Sequence, residues 1–146
     1  MTLRLSLLSL RITMVFQSLL MLAQVALAAG FLGGHFDMLA LHGTLGRVLT
    51  VATLLTAIAA FFVRRQGGPK SIFPVAVVLV VALVGQIALG LAHSVTAHVL
   101  LGVILVSAGA VLTQRVMTTP LPAKAQAQAP DVPARDGSAV QPEPVK

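Results

Sequence analysis

The chain has 146 residues, 57% hydrophobic and only 10% charged, with a formal net charge of +6. Soluble domains hold about 45–50% apolar and about 25% charged residues, so the composition is that of an integral membrane protein, expected as multi-pass in a bacterial plasma membrane. The lack of cysteine excludes disulfides, thiolate metal sites, thiol catalysis and covalent c-type haem attachment. The basic residues are scattered over loops and termini without interleaved aromatics, which excludes nucleic acid as a partner.

In chain order, residues 1–11 carry Arg4 and Arg11 and read as a cytoplasmic N-terminus, followed by a first apolar span over 12–32. A cleaved leader ending at Ala26-Leu27-Ala28 competes with that reading. The apolar run of about 20 residues exceeds the roughly 7–15 of a leader core, however, and a retained helix is expected. The second span is predicted over 38–63, with Asp37 as its N-cap. The third runs over 72–91 and the fourth over 96–114. Ser71 to Gln114 contains no Asp, Glu, Lys or Arg, and that run is about twice one ~20-residue span. The chain must therefore turn back inside it, at His93-Ser94-Val95-Thr96. From residue 116 to 146 the composition turns to Pro, Ala and Gln, which reads as a disordered cytoplasmic tail.

Positive charge sets the expected orientation. Arg4 and Arg11 precede span one, Arg64, Arg65 and Lys70 fill the second loop, and Arg115 follows span four. The first and third loops contain no Lys or Arg, so both termini are expected inside.

The two halves repeat a pattern. Gln24-Val-Ala-Leu-Ala in span one matches Gln86-Ile-Ala-Leu-Gly in span three, and His-x-x-Leu-Gly follows in span two as His42…Gly46 and in span four as His98…Gly102. The fold class predicted is therefore an all-α membrane protein, its bundle (residues 12–115) made of two parallel hairpin repeats related by an axis along the membrane normal.

Ionisable side chains at membrane depth are costly and normally point into the bundle. Neutral imidazole ligates haem iron well, and facing helices commonly supply an axial pair. His42 and His98 are thus the candidate ligands of a b-type haem. Gly46 and Gly102, one turn along the same face, either give room for a flat macrocycle or serve close helix packing. Arg47 lies inside the outer half of span two without a carboxylate nearby. It is read either as the partner of a haem propionate or as snorkelling to the headgroups. His35 and His93 read as surface residues, with a four-histidine copper or zinc site as the alternative. Gln17, Gln24 and Gln86 read as interhelical hydrogen-bonders.

With LHGTLG and AHVLLG on its second and fourth helices, the chain resembles one four-helix half of haem A synthase and, more loosely, the bis-histidine cytochromes of the b561 kind. The region from Arg11 to Arg115 is also similar to an uncharacterised family of small bacterial four-span proteins. These carry a Gln-x-x-x-Ala-Gly run, a His-x-x-x-Gly and a late helix containing His. The resemblance implies haem ligation at His42 and His98 and a respiratory or haem-handling membrane complex as partner. Haem A synthase has two such halves and a carboxylate near its reactive haem. This chain is one half with no Asp or Glu inside a span, so the balance is against an enzyme. The alternative to haem-linked electron transfer or haem handling is a non-catalytic membrane scaffold or accessory subunit. Oligomeric state stays open.

Overall fold

The computed structural model describes residues 2–122, which form four helices: α1 (Leu3–Leu32), α2 (Met38–Arg65), α3 (Ile72–Leu91) and α4 (Val95–Thr118). No strand occurs among the described residues. All four helices are long and apolar enough to cross a membrane, so the chain is all-α with the character of a multi-pass membrane protein.

The ends of the helices differ from the expected spans. α1 begins at Leu3 instead of residue 12, because the Thr2 hydroxyl caps it by accepting the Leu5 amide at 3.4 Å and the intervening Leu, Ser and Arg residues tolerate helix well. Arg4 and Arg11 therefore stand on the helix itself. α4 extends to Thr118, so the first residues of the expected tail are helical, and the expectation for residues 123–146 lies outside the described residues. Asp37 does precede α2, yet its side chain makes no capping bond. The turn at His93 is as expected, with His93 in the left-handed region at φ 55°.

The helices form a ring in which α1 and α3 each pack against both α2 and α4. Neighbours are antiparallel: Gln24 near the end of α1 meets His42 near the start of α2, and Ser6 Oγ donates to Gln66 Oε1 at the opposite end. Ser18 and Thr113 share a 3.0 Å hydroxyl pair between α1 and α4. Arg11 reaches the carbonyls of Met117 (3.0 Å) and Thr119 (2.6 Å). The start of α1 and the end of α4 consequently lie together, at the end that carries Arg4, Arg11, Arg64, Arg65, Lys70 and Arg115.

Packing is uneven along the bundle axis. The outermost buried residues are Met21 on α1, Leu49 on α2, Leu83 on α3 and Leu105 on α4. Everything buried lies between that layer and the cation-bearing end, and beyond it no described residue is buried. Small residues at Ala57, Ala60, Ala76 and Gly109 allow close helix approach. The side chain of Met21 occupies the space beside Gly109. The result is a bundle closed at one end and open at the other.

Glycine closes the cation-bearing end. A Cβ at Gly68 would sit 2.9 Å from the Val63 carbonyl oxygen and 3.1 Å from Leu3 Cδ1, whereas one at Gly43 would meet nothing within 4 Å. Gly68→Ala is expected to cost about 1–3 kcal/mol through backbone displacement, seen as a lower thermal midpoint in detergent. Gly43→Ala should leave the midpoint unchanged or raise it slightly.

Candidate functional site

The open end is built around two histidines. His42 lies one turn into α2 and His98 one turn into α4, and these two helices are diagonal in the ring. Their imidazole centres are nevertheless only 6.1 Å apart, with ring planes at 63°. Both side chains are half-buried.

Each histidine is fastened to its hairpin partner by two reciprocal hydrogen bonds. Gln24 Nε2 donates to the His42 carbonyl at 3.0 Å, and His42 Nδ1 lies 3.3 Å from the Gln24 carbonyl oxygen. The second hairpin repeats this: Gln86 Nε2 donates to the His98 carbonyl at 2.8 Å, and His98 Nδ1 lies 2.9 Å from the Gln86 carbonyl oxygen. A carbonyl oxygen only accepts, so in both rings Nδ1 carries the proton and Nε2 carries the lone pair. Neither Nε2 has a hydrogen-bond partner among the described residues.

The spacing from histidine to glycine follows from this clamp. In a helix the carbonyl of residue i already accepts the amide of residue i+4. For a side chain from another helix to reach its second lone pair, residue i+4 must leave that flank uncovered. Gly46 stands four residues after His42 and Gly102 four after His98. A Cβ at Gly46 would lie 3.3 Å from Gln24 Nε2, and one at Gly102 would lie 3.1 Å from Gln86 Nε2. Each glycine thus leaves its space to a glutamine amide.

The remaining candidates make no hydrogen bond to the pair. Arg47 is exposed and donates to Thr44 Oγ1 at 3.2 Å. His35 and His93 are exposed beside the two loops at the open end. Among the described residues no three His, Cys, Asp or Glu side chains come together, so His35 and His93 do not join the central pair in a four-histidine metal site.

The three glutamines, alike in sequence as expected interhelical hydrogen-bonders, differ in the structure. The side-chain carbonyls of Gln24 and Gln86 are buried without a hydrogen-bond partner, while their amides hold the clamps. Gln17 is 1% exposed and its Oε1 is also unpartnered, so its expected interhelical bond is not formed through that atom. The signal that separates them was present in the sequence: Gln24 and Gln86 each pair with a His-x-x-x-Gly on the next helix, whereas the residue seven before Gln86, matching Gln17, is the apolar Leu79.

Comparison with protein-family models, curated proteins and solved structures finds no match. The functional reading therefore stands on the geometry alone.

The glutamines are expected to respond oppositely to replacement. Gln86→Leu removes the amide bond to His98 and should lower stability by about 0.5–1.5 kcal/mol. Gln17→Leu removes a buried unpaired carbonyl and should raise stability by about 1 kcal/mol. Thermal unfolding of the detergent-solubilised protein measures both, and a lowered midpoint for Gln17→Leu would count against an unpaired carbonyl there.

Proposed function

We propose that the open end of the bundle binds a b-type haem, with His42 and His98 as its axial ligands, and that the protein carries electrons or handles haem at the membrane. The observation that carries this reading is the pair of Nδ1-tethered imidazoles, each with a free Nε2, 6.1 Å apart on diagonal helices. The donor chemistry fits. A metal-bound histidine characteristically donates its other ring nitrogen to a carbonyl, which sets tautomer and orientation. Two metal–nitrogen bonds of about 2 Å, extended to the ring centres, bring such a pair to about 6 Å.

In this reading the protein's own residues bind and orient, while a bound haem supplies the one-electron couple. Gln24 and Gln86 hold the imidazoles, and Gly46 and Gly102 admit the glutamine amides. Arg47 serves as the propionate partner. The two hairpins, with matching clamps and first helices running the same way, are parallel repeats. The Arg- and Lys-bearing end faces the cytoplasm and carries both termini, in the plasma membrane, with a respiratory or haem-handling complex as partner.

The same clamps favour a second reading. Four hydrogen bonds already give both histidines an interhelical role, so a scaffold or accessory subunit without cofactor would use them as fasteners only.

A reduced-minus-oxidised spectrum of the detergent-purified protein, expressed with haem precursor, separates the two. The expected result is a sharp low-spin haem b band, lost in His42→Ala and in His98→Ala and kept in His35→Ala. Arg47→Gln should keep the band but release haem more readily, on the order of tenfold for one charge-assisted contact. A featureless spectrum from folded wild-type protein would leave the scaffold.

A further inference from the structure

Far from the histidines, the outer face between α3 and α4 carries a groove of about 500 Å³. Its walls are Val75 on α3 and Ile104, Ala108 and Val111 on α4, and its end is marked by Ser71 and Arg115. Ser107 lies in its middle and donates its hydroxyl to the Val103 carbonyl at 2.9 Å, which hides that polarity within the helix. The groove is thus apolar along its length and polar only where it meets the cation-bearing end.

Three of the other arginines of that end are engaged, while Arg4, on α1, keeps its Nε without a hydrogen-bond partner. Arg11 donates to the end of α4, Arg64 lies 5.6 Å over the Phe73 ring and Arg65 lies 5.9 Å over Phe61. Among the described residues the Arg115 guanidinium makes no hydrogen bond, and Ser71, just before α3, makes no side-chain cap bond. Two hydrogen-bonding groups therefore stand together at the mouth of an apolar trough. From Val103 to Arg115 the groove follows α4 for about 18 Å at 1.5 Å per residue. That length matches one leaflet, about half of a ~30 Å hydrocarbon core.

We propose that this groove is a binding site for a phospholipid with an anionic headgroup. One acyl chain lies between α3 and α4, and the phosphate meets Arg115 and Ser71. Charge selects the lipid: the trough accepts any acyl chain, but the unengaged guanidinium, at the end that also carries Lys70 just before Ser71, favours a headgroup with net negative charge. The site is independent of any cofactor at the histidine pair.

Native mass spectrometry of the full chain in detergent, titrated with phosphatidylglycerol and with phosphatidylcholine of identical acyl chains, tests the site. Wild type is expected to retain phosphatidylglycerol roughly fivefold more tightly, the worth of one arginine at an anionic surface. Arg115→Gln should bring it to the phosphatidylcholine level, Ser107→Phe should weaken both lipids by filling the trough, and Arg65→Gln should change neither. Circular dichroism checks that each variant is folded. Equal retention of both lipids by wild type, a preference that survives Arg115→Gln, or unchanged retention in folded Ser107→Phe would each overturn the proposal. So would full displacement of the lipid by glycerol phosphate alone, which would make this a phosphate site without use for the trough.

Discussion

Hydrocarbon gives a polar group no water to fall back on, and the open half of this bundle is organised by where its few polar groups find partners. The helical carbonyls of His42 and His98 each take a second donor from a glutamine on the neighbouring helix. In return each imidazole donates to the glutamine's own carbonyl. Because both partners are held at backbone atoms, the imidazoles sit where the helices put them. Interhelical hydrogen bonds in membranes are individually modest, about 0.6–2 kcal/mol, and fixing ring orientation is the larger consequence here. Two hairpins that each orient one imidazole bring the pair together across a diagonal where the helices themselves do not touch.

The other half of the bundle is built differently. There most polar groups are turned back on their own helix, as with Thr53 to Leu49 and Thr56 to Ala52, or gathered at the end, with the pair of Ser18 and Thr113 bridging α1 and α4 and the buried Gln17 Oε1 left unpartnered. Buried Leu, Val and Ala fill the space between. Phe61, Phe62 and Phe73 beside Arg64 and Arg65 form an aromatic and cationic cluster at that end, in a chain that has no Trp or Tyr to anchor it at the interface. A well-packed half thus supports one in which no described residue is fully buried.

Much of this was legible in the sequence. Hydropathy and loop charge delimit four helices to within a few residues at most ends, and the paired His-x-x-Leu-Gly motifs single out the two histidines that meet. The start of α1 departs from the expected span because Arg4 and Arg11 lower the hydropathy of a segment that helix propensity and the Thr2 cap nonetheless keep helical. The role of Gly46 and Gly102 was not decidable from spacing, since a glycine that exposes a carbonyl and one that admits a macrocycle look alike in a string of letters. The clamp itself needed both strands of information, glutamine on one helix and glycine on the next, and only the antiparallel register joins them. The groove between α3 and α4 had no sequence signal, because its lining is the same Val, Ile and Ala that covers any lipid-facing surface.

The two halves of the site are not mechanically equal. A Cβ at Gly90, one turn after Gln86, would lie 3.2 Å from two atoms of the His98 ring, so that imidazole rests in a notch cut by the missing side chain. The corresponding residue after Gln24 is Ala28, which carries a methyl group. His42 also sits 3.3 Å from its carbonyl, against 2.9 Å for His98. Turning the His98 ring means breaking the shorter bond and lifting the ring from its seat, while His42 gives up less to swing. The two seats are therefore unequal, the one on α4 being the tighter by both bond length and packing.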